Sequence, residues 1–280
     1  MIKRDEKTAR EKKGKLIQTL KGLDGLLVAF SGGVDSTFLL AVAREVLGDG
    51  AVAATACSKT FPAEEQEEAV RFTKERNIQH IVFSSDETDL PEFLSNPPDR
   101  CYYCKKLLSQ NLIKIAGEMG IHHVAHAANA DDLADYRPGM DAAREMGLIA
   151  PLLEVSLKKQ EIRFLSKEMG LPGWDKPSMA CLASRIPYGE AVTEEKLVMV
   201  EQAEAYLRKK GFRQCRVRHH GPVARIEVEG RDIKRILEGG LREEIVRAFR
   251  GIGFLHVALD LEGYASGRMN RALGREEESL

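Results

Sequence analysis

The sequence lacks a long apolar segment. Of its 280 residues 30% are charged, and no apolar run reaches the roughly 20 residues that a membrane-spanning helix needs. The first stretch, MIKRDEKTAREKKGK, is charged and lacks the apolar core of a secretory signal. The formal net charge is −1, which argues against the basic field of a nucleic-acid-binding protein. We therefore expect a cytoplasmic protein without a membrane partner.

Cysteine is scarce, and we find no internal repeat or low-complexity tract. The chain has 5 cysteines, two of them with CxxC spacing. This number and spacing favour cytosolic thiol or metal chemistry over a disulfide framework.

The first part of the chain alternates between strand and helix patterns. Apolar stretches predict parallel strands at 26–30, 51–57, 78–84 and 124–128, and helical patterns precede, separate or follow them at 7–21, 37–47, 62–76 and 103–117. This alternation is typical of an α/β fold with a doubly wound parallel sheet. Ligands in such sheets bind beyond the carboxyl ends of the strands.

From Thr193 the pattern changes to a smaller α+β domain. It predicts a helix to Lys210, strands at 214–218 and 223–229, a helix at 231–249 and a strand at 254–261. We predict domains at 1–173 and 193–273, a linker at 174–192 that carries Cys181, and a disordered tail at 274–280.

The turn after the first strand has the composition of an anion site. It reads Ser31-Gly32-Gly33-Val34-Asp35-Ser36-Thr37 and leads from strand to helix. The glycines allow a close backbone approach, and a helix N-terminus presents unpaired N–H groups. The turn has neither the lysine of a Walker loop nor dinucleotide-fingerprint spacing. An ordinary strand-to-helix turn is the weaker alternative.

This turn resembles the PP-loop of the ATP pyrophosphatase superfamily, which has the adenine nucleotide alpha hydrolase-like fold. The resemblance implies that the loop holds the β,γ-pyrophosphate of ATP, which is cleaved between its α- and β-phosphates. We expect the adenine to bind near residues 55–58, which include Ser58. Cys57 is a candidate to line the nucleotide pocket.

A CxxC pair, Cys101 and Cys104, begins a predicted helix. A helix N-terminus and neighbouring Arg100 and Lys105 lower the pKa of thiols at such a position. Cys181, flanked by Lys176 and Arg185, would complete a set of three thiolates. Three sulfur ligands fit a [4Fe-4S] cluster with one open iron, and they also fit zinc with an exchangeable ligand. Cys57 and Cys215 are interpreted as structural.

Carboxylates follow the fourth predicted strand at Asp131, Asp132 and Asp135. Beside a triphosphate, carboxylates suit Mg²⁺, and Asp35 or Asp131 is the candidate ligand. The alternative for this segment is a helix cap formed by Asn129 with acidic residues in the first turn.

The smaller domain places Arg216 and Arg218 on one face of a strand, where their forks could bind a substrate phosphate. Glu204, Glu227 and Asp232 could gather around a cation, although solvated ion pairs are nearly as good an interpretation of Glu204 and Asp232. His219 as a fourth cluster ligand is disfavoured, because the chemistry needs an open position.

Four segments in this order resemble the LarE family of ATP-dependent sulfur transferases: SGGVDST, DRCYYCKK, NADDLADYRPGM and KPSMACLASRIPYG. The similarity extends to RVRHHGPVARIEVE in the smaller domain. It implies adenylation of a carboxylate of pyridinium-3,5-biscarboxylic acid mononucleotide and replacement of its oxygen by sulfur, in synthesis of the nickel-pincer nucleotide cofactor. The family reads GTNADD where this chain has AANADD, which leaves the role of Asn129 open.

The resemblance also implies that Cys181 supplies the sulfur. In some members this cysteine is sacrificed, whereas members with cysteines at positions 101 and 104 hold a cluster that carries an extra sulfide. This chain has all three, so we expect the cluster form, ATP and Mg²⁺ as further cofactors, an external sulfide source and a homo-oligomer. The alternatives are a tRNA thiolase, which the near-neutral charge disfavours, and an amide-forming ligase such as an NAD or GMP synthetase. The non-enzyme alternative is a nucleotide-sensing or zinc-binding module.

Overall fold

The computed structural model describes residues 2–134, 137–177, 180–265 and 268–274. The strands are β1 Leu26–Ala29, β2 Ala51–Cys57, β3 Gln79–Ser84, β4 Val124–Ala125, β5 Cys215–His220, β6 Val223–Val228 and β7 His256–Leu259. The helices are α1 Ile2–Lys21, α2 Val34–Leu47, α3 Ala63–Glu75, α4 Pro91–Leu94, α5 Arg100–Glu118, α6 Pro138–Glu145, α7 Pro151–Glu154, α8 Lys159–Glu168, α9 Glu194–Lys209, α10 Ile233–Leu237 and α11 Leu241–Ile252. Within these residues, no helix is both long and apolar enough to cross a membrane.

The chain forms two compact units. The first comprises Met1–Ser58, Ala63–Glu87 and Asp99–Ser178, and the second comprises Lys59–Pro62, Thr88–Pro98 and Met179–Leu280. The second unit thus takes two short segments from the first half of the sequence. The predicted domain boundaries at 173 and 193 stay a prediction, and most of the predicted tail lies outside the described residues.

The first unit is built on a four-stranded parallel sheet in the order β3-β2-β1-β4. Its two central strands, β1 and β2, are almost entirely apolar because both faces of the sheet are covered. Leu26 and Val28 pack with α1, α2 and α8, whereas Leu27 packs with α5 on the opposite face. The predicted α/β fold with a parallel sheet is confirmed.

The second unit contains a three-stranded sheet in the order β5-β6-β7, with β5 antiparallel and β7 parallel to β6. One face carries alternate apolar residues, such as Val217 and Ile226, which pack against α9 and α11. The other face carries Arg216, Arg218 and Glu227.

Several predicted elements were wrong in their bounds, among them the first helix, predicted at 7–21, which spans Ile2–Lys21. The helix after the glycine turn begins at Val34 and not at Thr37, because Gly33 is its N-cap. The helix predicted over 231–249 is two helices, since Gly239 and Gly240 at φ 63° and 79° interrupt it. The fourth strand ends at Ala125, and after it the N–H of His126 donates to the carbonyl oxygen of Ile149.

Candidate active site

The carboxyl edge of the parallel sheet brings together most of the predicted site residues of the first unit. The glycine turn follows β1 and leads into α2. Helix α5 ends at the amino edge, from which β4 starts, so its first turn with the CxxC pair lies at the carboxyl edge. Because α2 and α5 pack on opposite faces, the turn and the two cysteines flank this edge from the two sides.

The glycine turn has the local geometry of a phosphate cradle. Gly32 has φ 72°, and a Cβ there would lie 3.3 Å from the carbonyl oxygen of Glu65, so the position requires glycine. Ser31 Oγ lies 3.2 Å from Ser36 Oγ and accepts from the N–H of Gly33 at 3.4 Å. The first-turn N–H groups of α2 have no acceptor within the helix. The turn can therefore offer N–H and hydroxyl donors to an anion.

Asp35, in the first turn of α2, is paired with a lysine from a distant part of the sequence. Lys159 Nζ donates to Asp35 Oδ2 at 2.6 Å, and Asn129 Nδ2 lies 3.4 Å from the same oxygen. Asp35 Oδ1 is buried, and no described residue forms a hydrogen bond with it. Burial raises the pKa of Asp35, and the Lys159 ammonium opposes that rise. The loop that lacks a Walker lysine thus has a lysine beside it.

Sequence reasoning missed Lys159, because its position depends on tertiary contacts. It is the first residue of α8, and its backbone N–H donates to Asp131 Oδ2 at 2.8 Å. Asp131 therefore connects the segment after β4 to the helix that supplies the lysine. Two lysines in a row at the start of a helix do not by themselves indicate a phosphate site in a sequence.

The segment after β4 is organised by its own carboxylates. Asn129 Oδ1 accepts from the N–H of Asp131 at 2.9 Å, and Asp132 Oδ2 accepts from the N–H of Asn129 at 2.9 Å. The cap predicted as the alternative is therefore present. Asp135 lies outside the described residues. The assignment of Asp131 or Asp35 to Mg²⁺ stays a prediction.

The end of β2, predicted to lie near the adenine, is held by side-chain hydrogen bonds. Thr55 Oγ1 donates to the carbonyl oxygen of Phe30 at 2.7 Å and lies 2.7 Å from His80 Nε2. Ser58 Oγ donates to the buried carboxylate of Glu87. Cys57 Sγ lies 3.0 Å from Gln66 Oε1. These contacts fix the edge of the sheet next to the glycine turn.

The CxxC pair lies on the first turns of α5. Cys101 is exposed, Cys104 is half-buried, and neither forms a disulfide. Residues at i and i+3 lie on the same side of a helix, so both thiols face one direction. Gly139 of α6 packs directly on this turn, since a Cβ there would lie 3.2 Å from the carbonyl oxygen of Cys101. Two of the three predicted sulfur ligands are thus arranged together.

Cys181, in the second unit, is half-buried at the N-cap of a short 3₁₀ turn, Leu182–Arg185. The wholly buried Arg185 holds this segment. Its Nη1 donates to the carbonyl oxygens of Ala180 at 2.6 Å and Cys181 at 3.0 Å. The guanidinium also faces Glu204, with Nε to Oε1 and Nη2 to Oε2 both at 2.8 Å. Arg185 is a positioning residue for Cys181 that the sequence suggested only as a nearby charge.

The carboxylates predicted to hold a cation have arginine partners. Glu204 is fully buried, and its pairing with Arg185 outweighs burial and lowers its pKa. Glu227 is held by Arg218, with Nε to Oε1 at 3.0 Å and Nη2 to Oε2 at 2.9 Å. Asp232 faces Arg235 at 3.8 Å. These partners disfavour a cation there, and among the described residues no three His, Cys, Asp or Glu side chains are grouped as a metal site would need.

The two arginines predicted for a substrate phosphate differ in their surroundings. Arg218 also donates through Nη1 to the carbonyl oxygen of Ser184 at 2.8 Å, so its fork is largely occupied by protein. Arg216 lies over the ring of Tyr264, 5.1 Å from the centroid, and burial lowers its pKa. The phosphate assignment stays a prediction for both.

The remaining candidates are buried in apolar surroundings. Burial raises the pKa of the Cys215 thiol to about 12, which makes it inert at neutral pH, in keeping with the structural role predicted for it. The His219 ring lies 5.5 Å from the ring of Phe254. It is 5% exposed and belongs to the packed side of its strand.

The chain is similar along most of its length to proteins from other organisms. It is 37% identical over 273 residues, covering 96% of this chain and 98% of the relative, to pyridinium-3,5-bisthiocarboxylic acid mononucleotide synthase of Lactiplantibacillus plantarum. It is 46% identical over 251 residues to a protein of Synechocystis sp. named only as uncharacterized, covering 90% of this chain and 94% of that one. A GMP synthase of Aeropyrum pernix is 24% identical over 208 residues, 67% of this chain and 40% of its own length. No protein-family model matches the chain.

Proposed function

Because the chain belongs to the LarE family, we propose that it is an ATP-dependent sulfur transferase acting on pyridinium-3,5-biscarboxylic acid mononucleotide. It converts a carboxylate of this nucleotide to a thiocarboxylate, in the synthesis of the nickel-pincer nucleotide cofactor. One structural observation carries the proposal: the glycine turn and the CxxC pair lie at the same edge of one sheet. The glycine turn would bind ATP, and the CxxC pair would supply thiols for the sulfur transfer.

In the first half-reaction, a carboxylate oxygen of the substrate attacks the α-phosphorus of ATP, and the bond to the β-phosphate oxygen breaks. Pyrophosphate leaves into the donors of Ser31, Gly32, Gly33, Ser36 and Thr37. Lys159 offsets the charge of the phosphates by moving from Asp35 to them, because an ammonium 2.6 Å from one carboxylate can exchange partners with little motion.

The residues at this edge also fit Mg²⁺. Asp35 Oδ1 is a buried carboxylate oxygen without a donor, and Mg²⁺ prefers oxygen ligands. We propose that Asp35 holds the ion, with Asp131 as the alternative ligand. The ion would neutralise charge on the phosphates when bound.

In the second half-reaction, a sulfur nucleophile attacks the acyl carbon, the bond to the phosphate oxygen breaks, and AMP leaves with one oxygen of the original carboxylate. We propose that Cys101, Cys104 and Cys181 hold a [4Fe-4S] cluster, which would supply an activated sulfide. None of the three is in a disulfide, and none is fully buried. The sulfide would come from a separate donor, and Arg216 and Arg218 would bind the phosphate of the substrate. We also propose that the enzyme works as a homo-oligomer in the cytoplasm.

The function is tested by incubating the protein anaerobically with ATP, Mg²⁺, sulfide and the dicarboxylate nucleotide. We expect release of pyrophosphate and AMP, and mass spectrometry of the product should show exchange of oxygen for sulfur. In Cys181→Ala we expect pyrophosphate release to persist while sulfur transfer stops. Full turnover of ATP by that variant, with no sulfur in the product of either protein, would favour an amide-forming ligase.

The cluster is tested separately by anaerobic purification with an ultraviolet–visible spectrum and iron and sulfide counts on wild type and Cys181→Ala. We expect iron and sulfide in wild type and less of both in the variant. A colourless, iron-free enzyme that still transfers sulfur would overturn the cluster and favour zinc or a sacrificial cysteine.

A further inference from the structure

Lys105, directly after the CxxC pair, is a cation to which the described residues offer no acidic partner. Its side chain is half-buried, with Gly139 of α6 packed closely on it. In the part of the chain that the structure describes, it forms no ion pair with a carboxylate, unlike Lys159 and Lys176. A desolvated ammonium is costly unless an anion pairs with it. An anion bound in its place would therefore relieve that cost.

The position of Lys105 is fixed by packing on two sides. A Cβ at Gly139 of α6 would lie 3.3 Å from Lys105 Cβ, so this glycine brings the two helices into direct contact. His126, the first residue after β4, is near enough for the Lys105 charge to add to the burial that lowers the His126 pKa to about 4. The imidazole is thus neutral at physiological pH. It cannot serve as a counter-charge, but it can donate a hydrogen bond to an anion.

The sheet topology places Lys105 on the opposite side of the sheet from the glycine turn. Register pairs Val28 with Ala125, so His126 is level with Ala29, the residue before the turn begins. The loop leads into α2 over one face of the sheet, whereas Lys105 on α5 covers the other. In displacement at phosphorus, the attacking and leaving oxygens lie roughly in line. With pyrophosphate leaving toward α2, the acceptor oxygen must approach from the side of α5.

We propose that Lys105 binds the substrate carboxylate that accepts the AMP group. This inference rests on the proposed function and adds a residue for its acceptor. The same turn of α5 carries Cys101 and Cys104, so the carboxylate would be activated next to thiols of the sulfur-transfer step. Lys105 takes no proton in this step; it orients the carboxylate and offsets its charge.

The test compares Lys105→Gln with Lys106→Gln, whose exposed side chain lies 5.8 Å from the ring centroid of Tyr102 and away from the site. Pyrophosphate release is measured at saturating ATP with varied dicarboxylate nucleotide, and then at saturating nucleotide with varied ATP. We expect Lys105→Gln to raise KM for the carboxylate substrate about 10- to 100-fold, the range for a lost charge-assisted hydrogen bond, with KM for ATP unchanged. Lys106→Gln should match wild type, and Lys105→Arg should recover part of the loss.

A second readout guards against a folding defect. Because removal of an unpaired, half-buried charge relieves partial desolvation, Lys105→Gln should melt at or above the wild-type temperature. An unchanged KM for the carboxylate, or an equal rise in both KM values, would overturn the inference while leaving the proposed function intact. Wild-type enzyme that releases no pyrophosphate with the dicarboxylate would overturn the proposed function and this inference together.

Discussion

The two units use the same kind of charge pair in opposite ways. Asp35 in the first unit has one oxygen on Lys159 and the other without a partner, and burial raises its pKa. Glu204 in the second unit accepts from Arg185 on both oxygens and from the N–H of Val217, and its pKa is lowered. One carboxylate is left short of donors and can take a new partner, whereas the other is satisfied and fixes the fold.

The largest effect should come from breaking the satisfied pair. In Glu204→Gln the buried Arg185 loses its counter-charge, and we expect the free energy of unfolding to fall by about 3–5 kcal/mol. Urea denaturation followed by circular dichroism measures this. The control is Glu194→Gln in the exposed pair with Lys59, which should leave stability unchanged. A loss in Glu204→Gln no larger than in the control would contradict a structural role for the pair.

Breaking the pair in the first unit should affect catalysis and not folding. We expect Lys159→Met to lower kcat/KM for pyrophosphate release about 100- to 1000-fold, the range for loss of one preorganised charge at a phosphate. The substitution keeps the backbone N–H of residue 159, which donates to Asp131 Oδ2, so this hydrogen bond at the start of α8 is retained. Lys158→Met changes the exposed neighbouring residue and should retain wild-type turnover. Equal losses in the two variants would remove Lys159 from the site.

His126, at the carboxyl edge of the sheet in the first unit, should make the stability of the protein depend on pH. Its pKa is about 4 in the folded protein against 6.5 for an unperturbed histidine, so the unfolded state binds more protons between these values. Stability should therefore fall as pH drops from 6.5 to 4, by about 3 kcal/mol relative to His126→Asn. Denaturation midpoints of both proteins across this range measure the difference. Parallel curves would show that His126 titrates normally.

The smallest expected effect has the opposite sign to that of Glu204. Since the folded-state pKa of Asp35 is raised, its ionisation costs stability as pH rises above 3.8, and the cost is fully present at neutral pH. Asp35→Asn should melt at or slightly above the wild-type temperature at pH 7 while pyrophosphate release falls. A melting temperature lowered as far as in Glu204→Gln would show that the two carboxylates are equivalent, and the comparison would fail.

Local sequence signals predicted the elements of the sheet and the position of the loop. The apolar runs at β1 and β2 indicate buried strands, and the glycines at 32 and 33 indicate a turn that needs backbone freedom. Charges that pair across the fold were missed: Lys159 is 124 residues from Asp35, and Arg185 is 19 residues from Glu204. The continuous helix predicted over 231–249 was wrong because its apolar period continues across Gly239 and Gly240, whose backbone breaks it.

The two short segments that join the second unit have a consequence for how the protein folds. The carbonyl oxygen of Thr60 accepts from the N–H of Leu182 at 2.8 Å, and the Asn96 side chain donates to the carbonyl oxygens of Pro187 at 2.7 Å and Glu190 at 3.0 Å. A single cut between the halves of the gene would leave these groups and the buried ring of Phe93 unmatched in either fragment. The second unit therefore stays incomplete until nearly all of the chain has left the ribosome, although two of its segments emerge early.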